Sequence, residues 1–480
     1  MLKRQAFIAT LWSGGDIVVR QGTQFLATVI LARLLLPADF GLVAMLALFV
    51  GLALVLADGG FSAALIQCRN IDHADESTVF WCNLAIGGLL TLGLIALAPF
   101  IADFYQVPVL APLARFMSLA CLLASAGSIH STLLTRSLNF QTQAKAGAIA
   151  ALSSGVVAIA MASRGYGVWA LAAQAVVMAG VMSAMLWWIH PWRPKLVISR
   201  ASLRKLLSFG GYHLGSSLLE TIYLKLYTLL VGRLFGAREL GYYSNADNSR
   251  MIPGNFLGSL ISRVALPMFA AAAGEQTTLR RGIQLSIRGM MLINAPLMLT
   301  MAALADPLVE VLFGRQWLLA GPILRVLCLA GLLYPLHLIN LHALMAQGHA
   351  RLMFRLEVLK KMCGVVLLLI GSMFGVMSIA WSQVVFSCLT LGINTYYTKR
   401  WLNYGAISQL REIAPPMFAA AVAAGIAQTG NIAWDTSALL KVCVLSAVSA
   451  VVYMSIVFSL RMNALTDVLS LIQRAQPRPR

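Results

Sequence analysis

Charge is scarce in this chain: Asp, Glu, Lys and Arg make up 11% of its 480 residues, against about 25% in an ordinary soluble domain. With 59% hydrophobic residues and a mean hydropathy of +0.80, the shortage excludes a soluble globular protein and implies a polytopic membrane one. Acid is scarcer still, 17 Asp and Glu against 36 Lys and Arg, for a net charge of +19. In a membrane chain such an excess is explained first by Lys and Arg retained on the cytoplasmic side, so no nucleic-acid partner is expected. No P-loop, kinase signature, H-E-x-x-H or G-x-S-x-G pattern occurs, which excludes self-driven ATP hydrolysis and leaves no sign of an enzyme. The Cys residues at 68, 82, 121, 328, 363, 388 and 443 include no C-x-x-C and fall mostly in apolar runs, so they read as free thiols with no metal site or disulfide framework. Basic Met1 to Phe7 leads into a long apolar run without a small-residue cleavage site, which predicts a retained first helix.

What is present is a repeat. Ile30-Leu-Ala-Arg33-Leu-Leu-Leu-Pro-Ala-Asp39-Phe-Gly41 lines up with Leu230-Val-Gly-Arg233-Leu-Phe-Gly-Ala-Arg-Glu239-Leu-Gly241. Further on, Pro112, Arg115, Leu119 and Ala120 find counterparts in Pro322, Arg325, Leu329 and Ala330, and Gly167, Val168 and Gln174 in Gly375, Val376 and Gln383. Apolar bias supplies neither matched charges nor matched Pro and Gly, so the chain reads as a duplicated unit with a tail.

Apolar runs predict an all-α protein of about 14 transmembrane helices: 9–36, 39–66, 77–102, 109–135, 141–163, 166–189, 206–235, 239–270, 281–304, 319–346, 351–373, 376–400, 408–429 and 437–460. The implied division is an N-lobe over 1–190, a cytoplasmic linker over 191–205, a C-lobe over 206–402, two more helices over 403–462 and a basic cytoplasmic tail over 463–480. Lys and Arg cluster on the side that holds both termini, including Arg136, Arg193, Lys195, Arg200, Arg204, Lys205, Arg280, Arg281, Lys399 and Arg400, which predicts cytoplasmic termini. The linker alternates Leu196, Val197, Leu203, Leu206 and Leu207 with Arg200, Arg204 and Lys205. Both a short interfacial helix and a plain basic loop fit that pattern.

An ionisable group deep in the bilayer costs several kcal/mol unless it meets a cavity or a partner, so each is a functional candidate. At about 1.5 Å per residue, Arg20 lies roughly 12 to 15 Å into the first helix, and Glu220, Lys225 and Arg250 are comparably deep. Arg263 and Arg288 lie nearer the cytoplasmic face, where Glu357, Lys360 and Lys361 also enter their helix. The repeat makes Arg20 and Glu220 equivalent positions, candidates for an ion pair between lobes. Asp16, four residues before Arg20, is the alternative local partner. Tyr223 and Tyr227 follow Glu220 at helical spacing, suited either to stacking on sugar or to helix packing. Asp58, in Ala57-Asp58-Gly59-Gly60-Phe61, reads as a gating group or as the cap of a kink. The cationic excess argues for anionic cargo, since guanidinium groups match phosphate oxygens in bidentate fashion. Arg20, Lys225, Arg250, Arg288, Tyr223 and Tyr227 are thus the candidate substrate-binding residues, and Asp16, Glu220 and Asp58 the candidate coupling or gating ones.

Several stretches carry a resemblance: Trp12-Ser13, Leu31-Ala32-Arg33, Asp58-x-Gly60, Ile66-Gln67, Ile261-Ser-Arg263-Val-Ala-Leu-Pro267-Met-Phe269, Ile293-Asn294-Ala-Pro296, Phe313-Gly314-Arg-Gln-Trp317 and Leu324-Arg325-Val-Leu-Cys328. Over nearly its whole length the chain resembles the polysaccharide-transport branch of the multidrug/oligosaccharidyl-lipid/polysaccharide exporter superfamily. Within it, the likeness is to colanic-acid-exporter-like flippases of lipopolysaccharide and exopolysaccharide biosynthesis. The resemblance implies two pseudo-symmetric six-helix lobes around a central cavity, two extra C-terminal helices, and a bacterial inner-membrane location. It also implies flipping of an undecaprenyl-pyrophosphate-linked oligosaccharide by alternating access. Membrane lipids, a polysaccharide polymerase and chain-length or export proteins are the expected neighbours. No cofactor is implied beyond a coupling ion, H+ or Na+. Arg33, Arg263 and Trp317 belong to the shared motif; Arg20, Glu220 and Lys225 do not. The competing readings are a lipid II flippase, a cation-coupled multidrug exporter, which a cationic cavity disfavours, and a glycan polymerase. The polymerase is disfavoured because the longest expected outer loop, about 305–318, is short.

Overall fold

The computed structural model of the chain describes residues 21–460 except Arg69, Ala273 and His349. It leaves aside the side chains at 207–209, 260, 262–267, 270, 271, 350 and 351. Among the described residues all regular structure is helical, as lipid demands, since only helices and closed barrels satisfy every backbone N–H and C=O without water. Eleven helices or helix pairs are long and apolar enough to cross a bilayer. The fourteen expected spans relate to these plainly: the first is described only from residue 21, and 206–235 and 239–270 are two helices that meet at a break at Gly236 and count here once. The run 351–373 is helical, but its Arg355, Glu357, Lys360 and Lys361 keep it out of the eleven.

The chain divides into two compact units, Met1–Gly241 and Tyr242–Arg480. The first holds α1 (residues 21–34), α2 (Pro37–Asp58), α3 (Phe61–Gln67), α4 (His73–Tyr105), α5 (Leu110–Arg136), α6 (Phe140–Ser163) and α7 (Val168–Ile189). It also holds the first half of α8 (Arg200–Ala271). Pro37 opens α2 with a pre-set φ, and Asp39 Oδ2 accepts from the Leu36 N–H at 3.0 Å, placing an acid at the helix start. The predicted span 39–66 is broken in two at Gly59 and Gly60, whose φ values of 58° and 74° only glycine adopts without strain. α4 begins at a reciprocal cap in which Asp72 accepts from Asp75 N at 2.7 Å. Along α4, Leu89, Leu92, Phe100 and Phe104 recur at helical spacing and are exposed, the stripe expected of a lipid-facing helix.

α2 runs alongside the first half of α8 with almost no side chain between them. A Cβ on Gly41 would lie 1.7 Å from the Ala237 carbonyl oxygen, and one on Gly241 would lie 1.9 Å from that of Pro37. At the other end of α2, Gly60 and Gly210 abut backbone to backbone, and Gly51 meets Thr221 between them. α8 itself breaks at Gly236, whose φ of 85° and ψ of 178° separate its halves.

The second unit contains the rest of α8 and α9 (Gln276–Ala303), α10 (Ala305–Phe313), α11 (Ala320–Leu332), α12 (Tyr334–Ala346), α13 (Ala350–Ser372), α14 (Val376–Leu402), α15 (Ala406–Ala433) and α16 (Ala438–Ser459). The stretch 305–318, expected as a loop, is mostly α10 followed by a 3-10 turn at Arg315–Trp317. The expected span 319–346 is interrupted between α11 and α12, with Pro335 at the start of the second piece. α15 and α16 pack on α9, through Tyr453, whose hydroxyl donates to Leu292 O at 2.8 Å, and through a 2.8 Å hydroxyl pair between Thr300 and Ser449.

Candidate functional site

The candidate residues fall into groups, taken unit by unit. Asp16 and Arg20 lie outside the described residues, as does the side chain of Arg263, whose backbone is part of α8. Arg33 is exposed at the end of α1.

In the first unit, α8 carries Glu220, Tyr223, Lys225 and Tyr227. Glu220 is exposed, Tyr227 is buried, and the two tyrosine rings meet edge to face at 6.4 Å. At about 100° per residue, Glu220, Tyr223 and Tyr227 share one side of the helix, whereas Lys225 points about 140° round from Glu220. That direction is within about 40° of the stripe on which Gly210, Thr221 and Gly232 face α2, so the half-buried Lys225 stands apart from the tyrosines. Asp58 ends α2, where Ser62 of α3 donates to its Oδ1 and Thr132 of α5 donates to Ser62 Oγ at 2.8 Å. This chain of hydroxyls ties three helices together at the Gly59–Gly60 break.

In the second unit, Arg250 and Arg288 each pair with a carboxylate. Arg250 Nη2 pairs with Asp247 Oδ1 at 2.5 Å, one turn earlier on α8. Its aliphatic stem lies beside Gly331, where an added Cβ would come within 3.4 Å of Arg250 Cγ and Cδ, and its Nε is buried without a hydrogen-bond partner. The α11 end it leans on is fixed by Asn294, whose Nδ2 donates to Leu332 O at 2.8 Å. Arg288 Nε lies 3.4 Å from Glu412 Oε2 on α15, and Glu412 also accepts from the Tyr404 hydroxyl at 2.8 Å and Gln284 Nε2 at 2.9 Å. Trp317 is wholly buried, with Tyr242 edge-on at 6.1 Å and Phe313 at 6.0 Å. Packed in this way, Trp317 shapes the protein interior.

The structure adds a cluster given little weight in the sequence. Lys360 on α13, only 5% exposed, donates to Glu357 Oε1 and, at 3.3 Å, to Asn394 Oδ1 on α14. Nearby, Ser387 of α14 donates to Ala330 O at 3.0 Å and lies 2.9 Å from His337 Nε2 of α12. A buried ammonium satisfied by a carboxylate and an amide is costly to assemble, and removing one partner strands the other charge. The i, i+3 spacing of Glu357 and Lys360, like that of Asp247 and Arg250, was the available sequence signal.

A chain of apolar, lipid-facing helices in which Arg250, Arg288 and Lys360 meet carboxylates is a multi-pass membrane transporter in architecture. Solved folds agree. A lipid II flippase, MurJ, in an inward closed conformation matches with a TM-score of 0.72 over 94% of this chain and 97% of that one, at 13% identity. An inward-facing multidrug resistance MATE family transporter of the MOP superfamily matches with a TM-score of 0.61 over 81% of this chain and 99% of that one, at 16% identity. The chain belongs to the family described as polysaccharide biosynthesis protein, which it matches over residues 30–322. Among its relatives, the teichuronic acid biosynthesis protein TuaB of Bacillus subtilis is 30% identical over 73% of this chain and 72% of its own length. The succinoglycan biosynthesis transport protein ExoT of Rhizobium meliloti is 31% identical over 67% of this chain and 66% of its own. The lipopolysaccharide biosynthesis protein WzxC of Escherichia coli is 28% identical over 77% and 76%.

Proposed function

We propose that this chain is a flippase that carries undecaprenyl-pyrophosphate-linked oligosaccharide repeat units across the bacterial inner membrane by alternating access, for exopolysaccharide or lipopolysaccharide synthesis. The observation that carries this reading is a conjunction: relatives named for polysaccharide biosynthesis and transport share one chain with the fold of a lipid II flippase. The cationic candidates fit a pyrophosphate. Arg250 holds a partnerless Nε beside its Asp247 pair, so its guanidinium has donor capacity left for an incoming oxyanion. Glu220, exposed on α8, suits a coupling proton or sodium ion together with Asp16, and Arg20 is its equivalent position in the first repeat. In this reading both termini are cytoplasmic and the product feeds a periplasmic polymerase.

A strain lacking the gene tests the proposal by two measurements, extracellular polymer and the sidedness of radiolabelled lipid-linked units. Loss of polymer with units trapped on the cytoplasmic leaflet is expected, and Arg20→Ala is expected to reproduce it while the protein still accumulates. Units already on the periplasmic leaflet would place the block at polymerisation and refute a flippase. Lysis on depletion would instead indicate lipid II as the cargo.

A further inference from the structure

The linker after α7 begins without helix and becomes helical only in its last residues. Residues 190–199 form an extended strap laid along the first turns of α4, and helix resumes only at Arg200. The strap is fixed at several points. Trp192 Nε1 donates to Glu76 Oε2 at 2.6 Å, and its ring stacks on His73 at 5.7 Å. Trp81 Nε1 donates to Lys195 O at 2.9 Å, while Lys195 N and Ser199 N donate to the hydroxyls of Ser77 and Thr78 at 3.1 and 3.0 Å. Just beyond, Lys205 Nζ pairs with Asp75 at 3.0 Å.

The backbone pinned by these bonds holds apolar side chains away from the protein. Leu196 is 89% exposed and Ile198 68%, between the anchors at 195 and 199, and Trp188 on the last turn of α7 is 79% exposed. Arg193, Lys195, Arg200 and Arg204, all exposed, surround them, and the sequence from 190 to 205 contains no acid. Position decides what meets this surface. α4 has 33 residues, about 50 Å of helix, and the hydrocarbon core is about 30 Å thick, so the turns carrying the strap reach headgroup level. The tryptophans at 81, 187, 188 and 192 gather at that same end, as aromatic side chains do at a membrane interface.

We propose that the strap is a membrane-docking surface that seats Leu196, Ile198 and Trp188 among acyl chains and binds the phosphates of anionic bilayer lipids through Arg193, Lys195, Arg200 and Arg204. Because hydrogen bonds to α4 fix the strap in advance, docking orders little additional chain. The occupant is the bulk lipid of the surrounding leaflet, selected by charge.

The test uses the full-length protein with its seven native Cys replaced and Leu196→Cys carrying a bimane label, in nanodiscs of phosphatidylcholine alone or mixed with phosphatidylglycerol. Expected are strong quenching by a doxyl-labelled lipid and weak quenching by iodide in the mixed discs. Lipid quenching falls several-fold in pure phosphatidylcholine, and R193Q/K195Q/R200Q/R204Q abolishes the difference. An iodide-quenched, lipid-silent label in both discs overturns the proposal and points to a cytoplasmic protein as the partner. Lipid quenching that ignores both composition and the four substitutions overturns the phosphate contacts. Should the Cys-replaced chain misfold, native mass spectrometry of the otherwise unaltered protein reads the same claim: the four Gln substitutions must lower the retained phosphatidylglycerol several-fold, and unchanged retention refutes it.

Discussion

The closest approach in the first unit makes a quantitative prediction. Gly41 and Gly241 are equivalent positions of the repeat, as are Pro37 and Ala237, and each glycine rests on the other copy's backbone. A Cβ at Gly41 would sit 1.7 Å from a carbonyl oxygen, so α2 and α8 must part by about 1.5 Å to restore ordinary contact at roughly 3.2 Å. Overpacking costs about 1–3 kcal/mol where side chains can adjust. Here backbone meets the new atom, so Gly41→Ala and Gly241→Ala each fall at the upper end, about 3 kcal/mol. Once the helices have separated for one Cβ, the second finds space, so the double variant is expected to cost less than the sum by over ~0.5 kcal/mol. Detergent-solubilised protein, followed by urea or thermal unfolding with size-exclusion detection, reads all three. An unchanged midpoint for Gly41→Ala, or strict additivity in the double variant, would refute the reasoning.

The buried Lys360 gives a second test: Glu357→Gln strands the ammonium and is expected to destabilise by about 3–5 kcal/mol, whereas E357L/K360M recovers most of that loss. Equal stability of the single and double variants in the same unfolding assay would count against it. The strap carries a pH dependence through His190, whose Nδ1 accepts from Trp192 N at 3.2 Å. Burial first and then Arg193 hold the His190 ring below its ordinary value, with Glu76 opposing. A base depressed in the folded state contributes stability present above its unfolded value of about 6.5 and lost as pH falls below it. The unfolding midpoint should therefore drop between about pH 7.5 and 5.5, and His190→Asn, which keeps an acceptor but cannot titrate, should flatten the drop. A wild-type midpoint constant over that range would remove His190 as a contributor.

Much of this architecture was legible because hydrophobic runs and Gly/Pro positions act locally. The kink that Asp58 is read as capping falls at Gly59–Gly60, inside the expected span 39–66, and the matched Gly41 and Gly241 are the positions where backbone meets backbone, on Ala237 and Pro37. A helix interruption with a weaker local signal was missed at Leu333, whereas the break at Gly236 falls between the expected spans 206–235 and 239–270. The site was less legible. Arg288 is named from the sequence without its carboxylate because Glu412, Gln284 and Tyr404 come together with it only by folding, with Glu412 on one of the two extra C-terminal helices. Lys225 is grouped with Tyr223 and Tyr227 as a candidate substrate-binding residue, but helical geometry turns it to a different side. The strap escaped because its anchors are side chains of α4 more than a hundred residues upstream.

The Glu412 cluster also bears on how the protein is made. Arg288 enters the membrane region well before its carboxylate exists: 124 residues separate the pair, roughly 6 to 25 s at a synthesis rate of 5–20 residues per second. During that interval the Arg288–Glu412 pair cannot form. The two final helices thus bring α9 a carboxylate only late in synthesis, and a chain ending before Glu412 forgoes the contacts that Glu412 makes with Arg288, Gln284 and Tyr404.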